Sequence, residues 1–447
     1  MLNKIIDQYL TENYYPFHMP GHKRSSLLNK NLGYTRDFTE IDGLDNLNDP
    51  KEVFVEMEKK LANIYNVKDA IISTNGSTAG ILATIRAVTK NNKNILIQRS
   101  SHKAVYNACL INNLSVDYID VITNEIGAIV DISYENLDKK LKESSYGALV
   151  ITSPSYEGYI LDIEKIYQIC QNYDTKLIID MAHGSHLFLT DQYENTFDLA
   201  ITSFHKNLQA LTPGASVLIN DEDLIKDVRK SMAIFQTSSP SYLILQSIDE
   251  IINNIDKVKS LYKILKTNLD DLYQTKLDNL ELIDDIKKDR SKILISTKNT
   301  SINGKILQEL LKNEKIEIEM SYPSYALLIS TIFDAKEAFD TLARILRKID
   351  KSLVNEKNSI AFTYRRPEKV YEIYQADMMD KNEYDLCNSL GKVCGEFIYA
   401  YPPGIPILAP GELISAEIFN NINSLLANNI NLNINNNRIC CIIDKNE

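Results

Sequence analysis

Lys176-Leu177-Ile178-Ile179-Asp180-Met181-Ala182-His183-Gly184-Ser185-His186 and, shortly after it, Leu199-Ala200-Ile201-Thr202-Ser203-Phe204-His205-Lys206 decide the fold. Each opens on a short apolar run, too brief for a helix, and then breaks into polar and small residues. A buried strand ending in a loop reads this way. Similar runs at 70–73, 94–98, 116–119, 148–152 and 215–219 bring the predicted strands to seven. Between about residues 50 and 290 they alternate with segments of helical period, the pattern of βαβ units around a largely parallel sheet. In open α/β sheets ligands bind beyond the carboxyl ends of the strands, and Asp180 and Lys206 fall at such ends.

With 447 residues the chain exceeds what one hydrophobic core serves, so several domains are expected. Residues 1–50 read as an N-terminal arm and 51–273 as a large domain closed by one long helix over 241–273. A small α+β domain over 274–360 has strand-like runs at 292–297, 316–320 and 326–331 and a helix over 335–349; residues 361–447 form a C-terminal domain. The Asn-rich stretch 419–437 suggests no function.

A formal net charge of −11, with Lys and Arg scattered, leaves no footprint for nucleic acid. No apolar run is long enough to span a bilayer, and Asn3, Lys4, Asp7 and Gln8 interrupt the start where a secretory signal would be apolar. The six cysteines show no CxxC spacing and suit reduced thiols in a cytoplasm.

Three sites carry chemistry. Lys206 follows a strand at a position where a nucleophile meets a bound group, although a single loop lysine is usually a solvated charge. Asp180 at a strand end can pair with a protonated pyridine nitrogen, or simply cap a helix. Ser73-Thr74-Asn75-Gly76-Ser77-Thr78-Ala79-Gly80 joins a strand to a helix starting near Ser77. Backbone N–H groups and hydroxyls there suit a phosphate monoester, and a ligand-free cap stays open as the alternative. The stretch matches neither the Walker nor the GxGxxG pattern, so a nucleotide is not indicated.

In order and spacing, a set of segments resembles the Orn/Lys/Arg decarboxylase family of fold type I pyridoxal-phosphate enzymes over nearly the whole chain. They are Phe17-His18-Met19-Pro20-Gly21-His22-Lys23, Thr74-Asn75-Gly76-Ser77-Thr78, Arg99-Ser100-Ser101-His102-Lys103, Ser153-Pro154-Ser155-Tyr156-Glu157-Gly158 and Asp180-Met181-Ala182-His183-Gly184. Ser203-Phe204-His205-Lys206, Thr237-Ser238-Ser239-Pro240-Ser241-Tyr242, Tyr401-Pro402-Pro403-Gly404-Ile405-Pro406 and Pro410-Gly411-Glu412 complete the set.

The resemblance implies an α/β fold: a fold type I large domain on a seven-stranded, mostly parallel sheet, with smaller α+β C-terminal domains. It also implies pyridoxal 5'-phosphate, with Lys206 forming the internal aldimine, Asp180 on the pyridinium nitrogen, His102 stacked on the ring and Ala182 on its other face. Ser77, Thr78, Ser203 and His205 would contact the phosphate, with Gly76 and His183 among the cofactor-binding residues. Thr237 and Ser238 would reach the phosphate of a neighbouring subunit, which implies a homodimer at least. The implied reaction converts a basic amino acid to its amine and carbon dioxide, with His205 or Lys206 returning the proton to Cα.

Lysine and arginine rank ahead of ornithine as substrate, and Glu412, Asp42 and Asp45 are candidate partners for the distal cation. One departure is Met181, where the family usually has Glu, and it keeps an idle pyridoxal-phosphate carrier as an alternative. An aminotransferase is another. It would clamp the substrate carboxylate with an Arg, none occurs from Ser291 to Ala343, and Arg365 or Arg366 would have to serve. A zinc hydrolase built on His183, His186 and His205 leaves Lys206 and the Ser-Thr loop unexplained, so no metal is expected.

Overall fold

In the computed structural model the described residues are 1–12, 19–20, 22–25, 27–356, 366–400, 404–428 and 430–443. Phe17, His18, Gly21, Arg365 and Tyr401, Pro402 and Pro403 lie outside them. The chain forms two compact units: Met1–Lys90, Ile163–Gln168 and Lys176–Tyr262 in the first, Asn91–Asp162, Ile169–Thr175 and Lys263–Glu447 in the second.

The first nine strands are β1 Asp69–Ser73, β2 Asn94–Gln98, β3 Ser115–Ile119, β4 Val121–Thr123, β5 Ile129–Ile132, β6 Ala148–Thr152, β7 Lys176–Met181, β8 Leu199–Ser203 and β9 Ala215–Ile219. Seven of them make one sheet, in the order β1-β9-β8-β7-β6-β2-β3. These are the seven strands that the apolar runs predict, each within a residue of its predicted bounds. β8 and β9 are buried along their whole length, so both faces are covered and the sequence shows a continuous apolar run instead of alternation.

Register sets the working edge of this sheet. β7 and β8 run parallel, with Asp180 beside Ile201 and Met181 beside Thr202. β9 is antiparallel to both β1 and β8, and Ala215 pairs with Ser73 on one side and Ser203 on the other. Hence the strands that end in Ser73, Met181 and Ser203 all terminate at one edge. The helix Gly76–Val88 packs closely over β8 and β9 because Gly80 lacks a side chain. A Cβ there would meet Ile201 Cγ2 at 2.9 Å and Val217 Cγ2 at 3.0 Å.

The helix predicted over 241–273 is two helices, Tyr242–Asn253 and Ile255–Tyr273. At Asn254 the backbone turns to φ −115, ψ 24, and its side-chain amide donates to the Glu250 carbonyl at 2.8 Å. Asn competes for backbone partners in this way, which is why it interrupts a helix that apolar periodicity alone would continue.

In the second unit β10 Glu281–Leu282, β11 Lys292–Ser296, β12 Met320–Tyr322 and β13 Tyr325–Ile329 form an antiparallel sheet in the order β10-β11-β13-β12. The strand expected at 316–320 begins only at Met320, since Ile316 and Ile318 alternate with charged residues but stay half-buried. β14 Lys381–Asp385 pairs with β17 Arg438–Ile442, and β15 Ile398–Ala400 with β16 Ile405–Leu408. Leu294, Tyr325, Leu327, Ile398, Leu408 and Ile439 share one core here. Among the described residues no helix is long and apolar enough to cross a membrane.

Candidate active site

Lys206 lies in the single turn Phe204–Asn207 that follows β8, and its Nζ is 2.9 Å from His183 Nε2. His183 is only 9% exposed and sits in the turn after β7, which the Gly184 N–H closes on the Met181 carbonyl at 2.9 Å. Buried Tyr65 donates to the Ser185 carbonyl and pins that turn from below. Asp180 is buried at the end of the same strand, its Oδ1 accepting from the Ala182 N–H at 3.1 Å. Parallel pairing of β7 with β8 therefore brings Asp180, Ala182, His183 and Lys206 to one edge. Met181 is buried against β8 opposite Thr202.

Gly76 opens the helix that follows β1 at φ +74, and a Cβ there would lie 3.4 Å from Pro213 Cβ. A positive φ is cheap only for glycine, so this turn admits it and little else. Asn75 at the helix N-cap makes no side-chain capping bond; its Oδ1 instead accepts from the Thr237 N–H at 3.2 Å. Gln236 Oε1 likewise accepts from the Thr74 N–H at 3.2 Å. The 236–237 segment thus braces the loop beside Ser77, which is half-buried, and Thr78, which is exposed. Thr237 and Ser238 are themselves exposed. Gln236 and the bracing role of Asn75 escaped the sequence reading, because only folding brings residues 162 positions apart together.

His205 Nδ1 lies 3.2 Å from the Gly214 carbonyl, next to the Pro213 that touches Gly76. Burial pushes its pKa below the usual 6.5, and the neighbouring Lys206 charge pushes the same way. Ser203, fully buried at the end of β8, has a hydroxyl with no hydrogen-bond partner among the described residues, and so has the side chain of Thr74.

Two predicted residues belong to the second unit. His102 caps the helix Lys103–Ile111, its Nδ1 accepting from the Ala104 N–H at 3.2 Å. Glu412, expected to meet a substrate cation, is 1% exposed, and its Oε2 lies 3.0 Å from Arg99 Nη2 and accepts from the Ala409 N–H at 2.7 Å. Its charge partner is internal. Arg99 had no assigned role, although an Arg at the end of a buried strand implies an internal partner because an unpaired buried cation is costly.

The Asp45 carboxylate accepts from the N–H groups of Asn46, Lys51, Glu52 and Phe54 and so organises a turn. Asp42 lines an open cleft of about 910 Å³ with Ile5, Gln8, Tyr9, Glu12, Ile41 and Gly43. Arg366, a candidate carboxylate clamp, is paired with Asp120 at 3.4 Å. No group of three or more His, Cys, Asp or Glu able to hold a metal occurs among the described residues.

The model of the family described as Orn/Lys/Arg decarboxylase, major domain, matches residues 2–293. The chain belongs to the Orn/Lys/Arg decarboxylase family. Within it, an arginine decarboxylase of Bacillus anthracis is 26% identical over 433 residues, covering 90% of this chain and 88% of the relative. The inducible lysine decarboxylase of Escherichia coli (strain K12) is 21% identical, over 93% of this chain and 75% of that one. The solved structure of the E. coli constitutive lysine decarboxylase superposes with a TM-score of 0.82 at 17% identity, covering 99% of this chain and 82% of that chain. A variant structure described as SPT with PLP matches 66% of this chain and 76% of its own, with a TM-score of 0.54 at 14% identity. The shared architecture is fold type I.

Proposed function

We propose that this member of the Orn/Lys/Arg decarboxylase family is a pyridoxal-phosphate-dependent enzyme that decarboxylates arginine or lysine to the corresponding amine. The observation that carries the reading is Lys206 Nζ against His183 Nε2, at the strand edge shared with Asp180 and the Gly76 turn. Arginine comes first, because relatives at 26% and 27% identity are named arginine decarboxylases and the lysine enzyme lies at 21%.

The residues present fit the cofactor. Ser203 Oγ is a buried hydroxyl lacking a partner among the described residues, a state that costs free energy unless a ligand satisfies it. Beside it, through Ala215 in the sheet register, stands the strand that leads into Gly76 and a helix N-terminus without a side-chain cap. A phosphate monoester answers both features. Bound here, pyridoxal phosphate supplies an electron sink for the pair released when the bond from Cα to the carboxylate breaks.

Lys206 is the residue that would hold the cofactor, through Nζ. With its proton on Nδ1, His183 accepts from Lys206 Nζ at Nε2 and holds the amine oriented. Asp180 Oδ1 is engaged by the Ala182 N–H, which fixes the carboxylate in one orientation for keeping a proton on the pyridine nitrogen. His205 donates its Nδ1–H to the Gly214 carbonyl, so while burial holds it neutral its Nε2 would accept from a protonated phosphate oxygen. His102 takes the ring-covering role that the resemblance assigns to it. Lys206 returns the proton to Cα, with His183 as the group that exchanges protons with it.

The assembly proposed is a homodimer, supported by the exposure of Thr237 and Ser238 beside the braced loop. A cytoplasmic setting is part of the reading, supported by six free cysteines. Transamination is disfavoured by the pairing of Arg366 with Asp120.

The test is incubation of the cofactor-loaded protein with arginine, lysine and ornithine separately, following carbon dioxide and the visible spectrum together. Gas from arginine or lysine is expected. A spectral shift without gas would favour transamination or an idle carrier, and absence of cofactor absorbance would overturn the reading.

A further inference from the structure

The turn that carries His102 is held from two sides. On the near side the Ser101 N–H closes on the Gln98 carbonyl at 2.9 Å, while the Gln98 side chain donates to Ser100 Oγ at 2.7 Å and accepts from the Thr152 N–H at 2.9 Å. On the far side stands Arg99, 3% exposed, whose guanidinium donates to the carbonyls of Pro406 and Ile407 at 3.0 Å each and to Glu412 Oε2 at 3.0 Å. Tyr106, one turn into the helix that His102 caps, bonds both the Arg99 guanidinium at 2.5 Å and the Arg99 carbonyl at 2.6 Å. The Lys103 N–H reaches the Gly404 carbonyl at 3.3 Å.

Only a planar, multiply donating cation can join two carbonyls, a carboxylate and a phenol at once. Because it is buried, its bonds are not exchanged for water, and the turn has one geometry relative to the 404–412 segment. His102 is three residues on, and its Nδ1 is committed to the Ala104 N–H, so the ring direction follows the turn.

We propose that Arg99 is a positioning residue for His102, through which the 404–412 segment of the C-terminal region sets the direction of the ring that the resemblance assigns to the cofactor. The proposal rests on the pyridoxal-phosphate reading for its consequence and on the Arg99 contacts for its cause. It gives the C-terminal region a part in the chemistry through Arg99, with no need for Glu412 to touch substrate.

The experiment compares Arg99→Lys and Glu412→Gln in the wild-type and His102→Ala backgrounds. In cofactor-free protein, hydrogen exchange of the Ser101 and Lys103 amides is expected to quicken about tenfold in either variant, while β11 and β13 stay unchanged. In the loaded enzyme, kcat is expected to fall about tenfold in the wild-type background and not to fall further in His102→Ala, whereas the Tm loss is equal in both. Equal kcat losses in the two backgrounds, or unchanged exchange at Ser101 and Lys103, would overturn the proposal. Should Arg99→Lys fail to fold, Glu412→Gln carries the same comparison, since it keeps the shape and the acceptor for Ala409. If wild-type protein releases no carbon dioxide, the decarboxylase reading alone fails, and the exchange measurement still decides whether Arg99 holds the turn.

Discussion

Lys206 Nζ and His183 Nε2 stand 2.9 Å apart across the ends of β8 and β7. Their side chains come from the turns that directly follow two adjacent parallel strands, so the sheet register sets the turns side by side and the turns complete the pairing. Replacing His183 with Ala should leave cofactor absorbance in place and lower kcat about 10²-fold, the scale of one lost proton-handling group. Steady-state kinetics beside the visible spectrum of the variant checks this; an unchanged kcat would remove His183 from the mechanism.

Lys206→Ala is the sharper case. It should abolish turnover and the cofactor's characteristic absorbance while the far-UV circular dichroism stays that of the wild type. Normal turnover in the variant would refute the assignment of Lys206.

Ser203→Ala tests the phosphate reading through opposite signs. The hydroxyl is buried without a partner among the described residues, so its removal should leave the Tm of cofactor-free protein unchanged or slightly raised. Loss of a bond to a charged group should weaken cofactor binding about 10- to 100-fold, about 1.5–3 kcal/mol. A lower Tm without cofactor, or an unaltered cofactor affinity by titration, would contradict it.

The pH dependence of stability has a defined sign at His205. Its folded pKa lies below the ordinary 6.5, so as pH falls through that ordinary value the unfolded chain takes up a proton that the folded one does not. Stability is therefore lost as pH drops from above 6.5 toward the depressed folded value, and no further loss from this group follows below it. His205→Gln should flatten this limb of a Tm-against-pH curve between neutrality and mild acid. An identical limb in the variant would mean that other groups set it.

At Gly80 the contacts predict a packing penalty. Gly80→Val places a side chain where even a Cβ would sit 2.9 Å from Ile201 Cγ2, and should destabilise by about 1–3 kcal/mol. Chemical denaturation measures it, and a loss below about 0.5 kcal/mol would mean that the helix shifts freely over β8 and β9.

Much of this was legible from the chain. The seven strands of the main sheet could be read because each is a short apolar run bounded by polar or small residues, a pattern set within a few residues of itself. Met320–Tyr322 and the break at Asn254 were harder. Ile316-Glu317-Ile318-Glu319 alternates like a strand without being one, and the competing side-chain bond of Asn254 leaves apolar periodicity untouched.

The sequence by itself determined the strand inventory and the α/β class, because local periodicity encodes them, and it offered Lys206 and Asp180 after strands as candidates, to which the family resemblance added His183 and Ser203. Only the tertiary structure decided partners. The antiparallel course of β9 sets Ser73 and Ser203 on either side of Ala215. Asp45 spends its carboxylate on four backbone donors of its own turn, and Glu412 meets Arg99 from 313 residues away. The physical reason is that a buried charge takes whichever partner the packed chain brings within hydrogen-bond reach, and local sequence carries no record of that distance.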